Sequence, residues 1–98
     1  MLAIYVDFNS REVLDAEGNQ AVHLRFDVAN PPSDEEKMRA GLRVLVYDEG
    51  DSYVGIVGRG RWIDGWVADL IPGTNRELDS KEFARLQNLT RRSAIRLL

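Results

Sequence analysis

Two β-prone runs separated by an acidic turn make up residues 42–58, LRVLVYDEGDSYVGIVG. Residues 42–47 are rich in aliphatic, β-branched and aromatic side chains, which is typical of a strand. Residues 48–51, Asp-Glu-Gly-Asp, favour a tight turn because these residue types tolerate turn geometry and hydrate well. They lack the ligand spacing and the final glutamate of an EF-hand calcium loop. The stretch therefore predicts the first hairpin of a β-meander, joined by a solvated turn.

The pattern of short strands and turns continues beyond this hairpin. Residues 59–61 favour a turn, residues 66–70 favour a strand, and Asp64-Gly65 favours a further turn or bulge. Such closely spaced turns are typical of strongly bent sheets and small barrels. Residues 42–74 resemble the SH3-like and Tudor-like small barrels in this pattern. That resemblance implies a module that binds a partner along a sheet face.

Apolar residues alternate with polar ones in the N-terminal third of the chain. Alternation over residues 2–8 predicts a strand with one buried face. Residues 12–15 and 22–28, separated by the turn sequence Ala-Glu-Gly-Asn at 16–19, predict a hairpin. The side chains of its second strand that are predicted to face the core are Val22, Leu24, Phe26 and Val28.

A proline-containing linker follows the N-terminal hairpin. Strand pairing must stop at Asn30-Pro31-Pro32, because proline cannot donate to a β-ladder and restricts the residue before it. Ser33 and Glu36 have the spacing of a capping box, which predicts one or two helical turns after the prolines. Gly41 is expected to provide the left-handed exit from these turns.

The C-terminal segment changes from strand patterning to helical patterning. Asp79 and Glu82 have the spacing of a second capping box. Phe83 and Leu86 begin a stripe of apolar residues at intervals of three and four, which predicts an amphipathic helix over residues 79–98. The alternatives are a kink or an early stop at residues 88–90 and a short closing strand over residues 93–98.

The elements combine into a single α+β domain that is mainly β. We predict a strongly bent antiparallel sheet, or an SH3-like barrel, of about five to seven strands with a C-terminal helix. The predicted parts of this domain, residues 1–98, are an N-terminal hairpin layer over 1–30, a connecting turn over 31–41, a β-meander over 42–74 and a helix over 79–98. The predicted core residues are Ile4, Val6, Phe8, Val22, Leu24, Phe26, Val44, Val46, Val54, Ile56, Val67, Phe83 and Leu86.

Composition excludes several classes of protein. The 98 residues carry a net charge of −3, which argues against a surface that is basic throughout. The chain has no cysteine, so it has neither disulfides nor thiolate metal ligands. Its start lacks the basic region of a signal peptide, and no apolar run reaches the roughly 20 residues of a membrane span. We expect a cytoplasmic protein that does not bind membranes.

A group of aromatic and arginine side chains is the first candidate binding surface. Aromatic rings along a small barrel can stack bases or hold cations, and neighbouring guanidinium groups can bind phosphate. The alternative is that the rings complete the core, since aromatic side chains provide much of the buried area of a small domain. The members of this candidate surface are Tyr47, Tyr53, Arg59, Arg61, Trp62 and Trp66.

The C-terminal segment is the second candidate surface, because it is the one basic part of the chain. Residues 76–98 carry six basic and three acidic side chains, whereas the residues before them carry seven basic and thirteen acidic. Arg85, Arg92 and Arg96 share one predicted helix face, from which they could follow a phosphate backbone. The alternatives are an ordinary solvated face and a helix that docks on an acidic protein surface.

No catalytic constellation is visible in the sequence. The one histidine, His23, lies on the polar face of a predicted strand, without a second ligand or an adjacent acid in a motif. We therefore predict no catalytic residues, no metal site and no cofactor. The predicted function is a non-enzymatic binding or accessory module with a protein partner, and the alternative is a nucleic-acid-binding small barrel. Monomer and homodimer are equally compatible with the sequence.

Overall fold

The computed structural model describes residues 1–13, 18–27, 29–60 and 65–95, except for the side chains of residues 12, 13 and 91–95. This part of the chain forms strands, one α-helix and two 3-10 helices. The 3-10 helices are Phe8–Ser10 and Pro32–Lys37. The remaining elements are β1 (Leu2–Tyr5), β2 (Arg11–Val13), β3 (Gln20–His23), β4 (Arg43–Tyr47), β5 (Asp51–Arg59), β6 (Trp66–Leu70), β7 (Arg76–Glu77) and α1 (Ser80–Ile95).

One mixed sheet contains all the described strands. Its order is β1-β4-β5-β6-β3-β2, and the short β7 pairs with β5 beside β6. β1 runs parallel to β4, whereas the other neighbours are antiparallel. The predicted class, a small α+β domain that is mainly β with a C-terminal helix, is confirmed. Two details differ: the sheet is not wholly antiparallel, and it is not closed into a barrel, because β1 and β2, the strands at its two ends, do not pair with each other within the described residues.

The inner face of the sheet carries an aliphatic core. The register places Ile4 beside Val46, and Val57 beside Ala68, on this face. Phe8 and Met38 pack into the same cluster from outside the sheet. The predicted core residues that are buried here are Ile4, Val6, Phe8, Val22, Leu24, Val44 and Val46, and Phe26 is partly buried against them.

The prediction for β5 had the wrong face inward. Val54 and Ile56 were predicted in the core but are half-buried, whereas Val57 is buried in the inner cluster. Gly55 shares the inner face with Val57, and a Cβ added to it would lie 2.9 Å from the Ala68 Cβ. A glycine is therefore required where β5 and β6 approach each other, and its missing side chain hides the inward position from a hydrophobicity pattern.

The opposite face of the sheet, the helix face, is covered at one end by α1. Tyr47 is fully buried there, and its ring meets those of Tyr5 and Phe83 edge-on, with centroids 5.7 and 6.0 Å away. The Tyr47 hydroxyl is 2.7 Å from the Thr90 hydroxyl, whose oxygen is also within hydrogen-bond distance of the carbonyls of Ala3, at 3.2 Å, and Leu86, at 3.1 Å. The helix is thus fixed to β1 and β4 by aromatic packing and buried hydrogen bonds.

The ends of α1 agree with the helical pattern in the sequence. The Asp79 carboxylate accepts a hydrogen bond from the Glu82 amide over 2.8 Å, as expected of the predicted cap. The helix continues through Asn88 to Ile95. The alternative of a stop near Asn88 is therefore wrong, and residues 96–98 lie outside the described part of the chain.

The linker forms a helical segment with a different start from the predicted one. The 3-10 helix begins at Pro32 with Pro31 as its cap, whereas Ser33 was predicted in that role. The Asp34 amide donates to the Pro31 carbonyl over 3.0 Å, so the first turn already includes the prolines. Proline is tolerated at this position because the first amides of a helix have no internal partner.

The strands of the two predicted hairpins pair as expected, but β3 ends at His23, whereas the predicted strand covered residues 22–28. Val28 and residues 14–17 at the predicted turn lie outside the described residues. β2 pairs antiparallel with β3, and β4 pairs antiparallel with β5.

In the acidic turn between β4 and β5, one oxygen of Asp48 accepts hydrogen bonds from the amides of Gly50 and Asp51, each over 2.9 Å. The acidic residues therefore form a local turn, as predicted.

Candidate functional site

A cleft of about 160 Å³ opens where the end of β1 meets the segment after β3, and we call it the first cleft. The sheet curls far enough to bring these two segments side by side, although they do not pair as strands. The lining residues are Tyr5, Val6, Asp7, His23, Arg25, Asp27, Ala29 and Asn30. The cleft combines apolar walls with charged groups, which is the usual chemistry of a binding site.

Asn30 holds the two walls of the first cleft together. Its side-chain oxygen accepts from the Tyr5 amide over 2.8 Å, and its side-chain nitrogen donates to the Tyr5 carbonyl over 2.7 Å and to the Arg25 carbonyl over 2.8 Å. Asn30 is only 2% exposed. The amide therefore replaces a neighbouring strand at the outer edge of β1, and it fixes the cleft without a β-ladder.

The chain on the β1 side of the cleft turns sharply at Asp7. The Asp7 carboxylate accepts a hydrogen bond from the Asn9 amide over 2.9 Å, and the Asp7 carbonyl accepts one from the Ser10 amide over 2.9 Å. Asp7 thus caps the 3-10 helix that carries Phe8 into the core. The charged Asp7 side chain stays exposed at the rim of the cleft.

Among the described residues, carboxylates outnumber cations around the first cleft. Arg25 and Asp27 form an exposed ion pair at 3.2 Å, which leaves the charge of Asp7 uncompensated within the lining. At the Tyr5 side, the phenol donates a hydrogen bond to Glu49. This bond, together with burial and the negative charges of Glu49, Asp48 and Asp7, raises the pKa of Tyr5 to about 12. The potential near Tyr5 is therefore negative.

His23 belongs to this cleft and is not a fully solvated residue. It is half-buried and lies near Gly65, the residue before β6, where an added Cβ would be 3.5 Å from the His23 Nε2 atom. Within the described residues, no group of three or more histidine, aspartate or glutamate side chains could hold a metal ion. The arrangement can bind a ligand through shape, charge and hydrogen bonds.

A second cleft, of about 210 Å³, lies at the opposite end of β3. Its lining contains amide, glycine, proline, leucine and tyrosine side chains but no charged group. Tyr53 belongs to this lining, and its ring packs edge-on against Phe8 with centroids 5.5 Å apart. The residues that line this second cleft are Gly18, Asn19, Gln20, Tyr53, Leu70, Pro72, Gly73 and Asn75.

The aromatic candidate surface is divided by the fold. Tyr47 is buried under α1 on the helix face and is therefore a core residue, not a member of an exposed surface. Tyr53 lies on the inner face near the start of β5, and Arg59 lies at the other end of that strand, opposite Trp66. The prediction that these rings form one surface does not hold for Tyr47, because strand register places it on the other side of the sheet.

Arg59 and Trp66 do come together. The Arg59 guanidinium carbon lies 3.8 Å from the centroid of the Trp66 ring, within cation–π range. The Trp66 ring is also partly buried against the inner core. Arg59 therefore occupies a ring surface that a stacking base would need. Arg61 and Trp62, which complete the predicted surface, lie outside the described residues.

Of the three arginines on the predicted basic helix face, the structure describes the side chain of one. Arg85 is exposed on α1, whereas the side chains of Arg92 and Arg96 lie outside the described part of the structure. Of the nearby cations, Arg76 on β7 lies 3.8 Å from Glu82 on α1. The predicted phosphate-binding role of this face stays a prediction.

Comparison of the chain with protein-family models, with curated proteins and with solved structures gave no match. In the part of the chain that the structure describes, no helix has the length and apolar character needed to cross a membrane.

Sequence reasoning did not find the first cleft. Tyr5 and Asp7 were included only in a strand, and Asn30 only in the sequence that ends strand pairing. A buried asparagine that bonds two distant backbone segments leaves no periodic signal. The usable hint was an asparagine just before two prolines, where the chain must leave the sheet and its side chain is free to bond elsewhere.

Proposed function

We propose that this protein is a non-enzymatic interaction module that binds a short segment of a partner protein in the first cleft. The observation that supports the proposal most strongly is the cleft itself, whose walls are held by the buried Asn30 amide. A wall fixed before binding loses little conformational entropy when a ligand arrives.

The size of the first cleft supports a peptide side chain as the occupant. Pockets for drug-sized ligands measure roughly 300–1,000 Å³, whereas this cleft measures about 160 Å³. One side chain of an extended segment fits this scale better than a nucleotide does. The rest of such a segment would lie along the exposed rim, which includes Asp7 and Ala29.

Nucleic acid is the alternative partner, and the described charges favour it less. Arg59 is stacked on Trp66, Arg25 is paired with Asp27, and the carboxylates near Tyr5 would repel a phosphate backbone. Single-stranded binding usually requires aromatic rings that are open to stacking. We therefore place nucleic acid second.

Panning a random peptide library against the purified protein tests the proposed function. The blocking variant is Ala29→Trp, because Ala29 is exposed and lines the first cleft. Its matched control is Ala84→Trp, an exposed alanine on α1 that lines neither cleft. We expect selected peptides to bind the wild type and Ala84→Trp alike, and to lose at least about tenfold in affinity, or about 1.4 kcal/mol, with Ala29→Trp.

The same proteins are then tested against a fluorescent single-stranded oligonucleotide at several salt concentrations. Tight oligonucleotide binding that falls steeply with salt, together with no peptide that depends on Ala29, would contradict the proposed function and favour the nucleic-acid alternative.

A further inference from the structure

The polar groups of the first cleft differ in what they leave for a ligand. The Asn30 amide uses both of its N–H donors and one of its two acceptor positions in three hydrogen bonds to backbone. The carboxylates of Asp7 and Asp27 each accept one local backbone amide, from Asn9 and Ala29 respectively. A carboxylate has about four acceptor positions. Both carboxylates therefore keep free acceptor positions, and both carry negative charge.

The charge around the cleft has one sign in excess. Among the residues that the structure describes, the carboxylates are those of Asp7 and Asp27 in the lining and of Asp48 and Glu49 beside Tyr5, and the lining contains one guanidinium group, that of Arg25. Arg25 is itself exposed and held by Asp27 at 3.2 Å. A positive group that enters the cleft gains attraction from several acids, whereas a negative group meets net repulsion.

The apolar part of the lining favours an occupant with a hydrocarbon stem before its charged end. Val6 and Ala29 line the cleft, while the acidic groups of Asp7 and Asp27 lie on opposite walls. Lysine and arginine place a hydrocarbon stem against apolar surface and keep the charged end near polar groups. Such a side chain therefore fits this cleft, with its stem beside the apolar lining residues and its charge near the two carboxylates.

We propose that the anchor of the bound segment is a lysine or arginine side chain, whose stem lies on the apolar lining and whose charge is held by Asp7 and Asp27. This inference rests on the proposed function of the first cleft and adds the chemistry of its occupant.

Calorimetric titration with synthetic peptides tests the anchor. The probes are the lysine-containing peptide with the highest affinity from panning and the same peptide with norleucine at the anchor, which keeps the stem and removes the charge. We expect the norleucine peptide to bind wild-type protein at least about fivefold more weakly, near the upper end for an exposed ion pair. This comparison needs no change to the protein.

Protein variants give effects of opposite sign. Asp27→Asn keeps an oxygen for the Ala29 amide but removes the charge, and it should weaken the lysine peptide about two- to fivefold. Arg25→Gln frees the Asp27 carboxylate and should strengthen binding about twofold. Glu36→Gln, an exposed change that lines neither cleft, should leave the affinity unchanged. Raising the salt concentration should reduce the differences among the variants.

The outcomes separate the anchor from the proposed function. If the selected peptides contain no lysine or arginine, or the norleucine peptide binds equally well, while Ala29→Trp still prevents binding, the cationic anchor is wrong and the peptide-binding cleft stands. If no peptide depends on Ala29, both proposals are wrong. A loss with norleucine, a loss with Asp27→Asn and a gain with Arg25→Gln support the anchor.

Discussion

The two clefts lie at opposite ends of β3 and differ in how their walls are held. In the first cleft, Asn30 is buried and bonds both walls over 2.7–2.8 Å. In the second, Asn75 is exposed, and its amide lies 3.4 Å from its partners Asp51 and Ser52. The comparison teaches that clefts of similar size can have walls fixed by buried hydrogen bonds or walls held by long, exposed contacts, and the fixed, charged walls are the reason for which we propose the first cleft as the binding site.

The largest expected effect is the loss of protein stability when the asparagine side chain of each cleft is removed. Asn30→Ala leaves the Tyr5 amide and carbonyl and the Arg25 carbonyl without their partner, so we expect it to lower the free energy of unfolding by about 2–4 kcal/mol. Asn75→Ala, the matched change in the second cleft, should cost less than about 0.5 kcal/mol. Urea unfolding followed by circular dichroism measures both, and equal losses would remove the distinction between the clefts.

Plugging each cleft with a bulky side chain is the next test. Ala29→Trp fills the first cleft, and Asn75→Trp is the corresponding change at the exposed rim of the second. We expect the panned peptide to lose at least about tenfold in affinity with Ala29→Trp and less than about twofold with Asn75→Trp. The reverse order, measured by calorimetry, would place the binding site at the second cleft.

The smallest expected effect is a change in the ionisation of Tyr5, the tyrosine of the first cleft. Hydrogen bonding to Glu49, burial and nearby carboxylates raise the pKa of Tyr5 from 10 to about 12. Because the folded state favours the neutral phenol, the stabilisation is present below pH 10 and is lost as the pH rises through about 12. In an ultraviolet titration, the ionisation near pH 12 should disappear with Tyr5→Phe and move toward pH 10 with Glu49→Gln.

A control in the second cleft completes this titration. Tyr53→Phe removes one phenol from the spectrum and should leave the ionisation near pH 12 in place. An ionisation near pH 12 that keeps its full amplitude in Tyr5→Phe would show that it does not belong to Tyr5.

Local patterns predicted the elements that depend on neighbouring residues. The hairpin of β2 and β3, the turn at Asp48 and the capped helix from Ser80 all follow from period, turn chemistry or capping. The wrong face of β5 has a physical cause, because Gly55 fills an inward position without an apolar side chain. Apolar residues on both sides of one strand defeat a period-two argument.

The candidate site depended on contacts between distant parts of the chain. The parallel pairing of β1 with β4 brings Tyr5 beside Tyr47, which buries one tyrosine that the sequence placed on a binding surface. Asn30 reaches Tyr5 across 25 residues. Such pairings are set by the tertiary register of the sheet, and composition and spacing contain no measure of it.

Nuclear magnetic resonance mapping of the bound peptide tests the central claim most directly. The measurement follows the backbone amide signals of the labelled protein during titration with the lysine-containing peptide. We predict that the largest changes in chemical shift occur at residues 5–7, 23–27, 29 and 30, and that the signals of residues 70–75 change little. Shifts concentrated at residues 18–20 and 70–75, or along α1 around Arg85, would contradict binding in the first cleft.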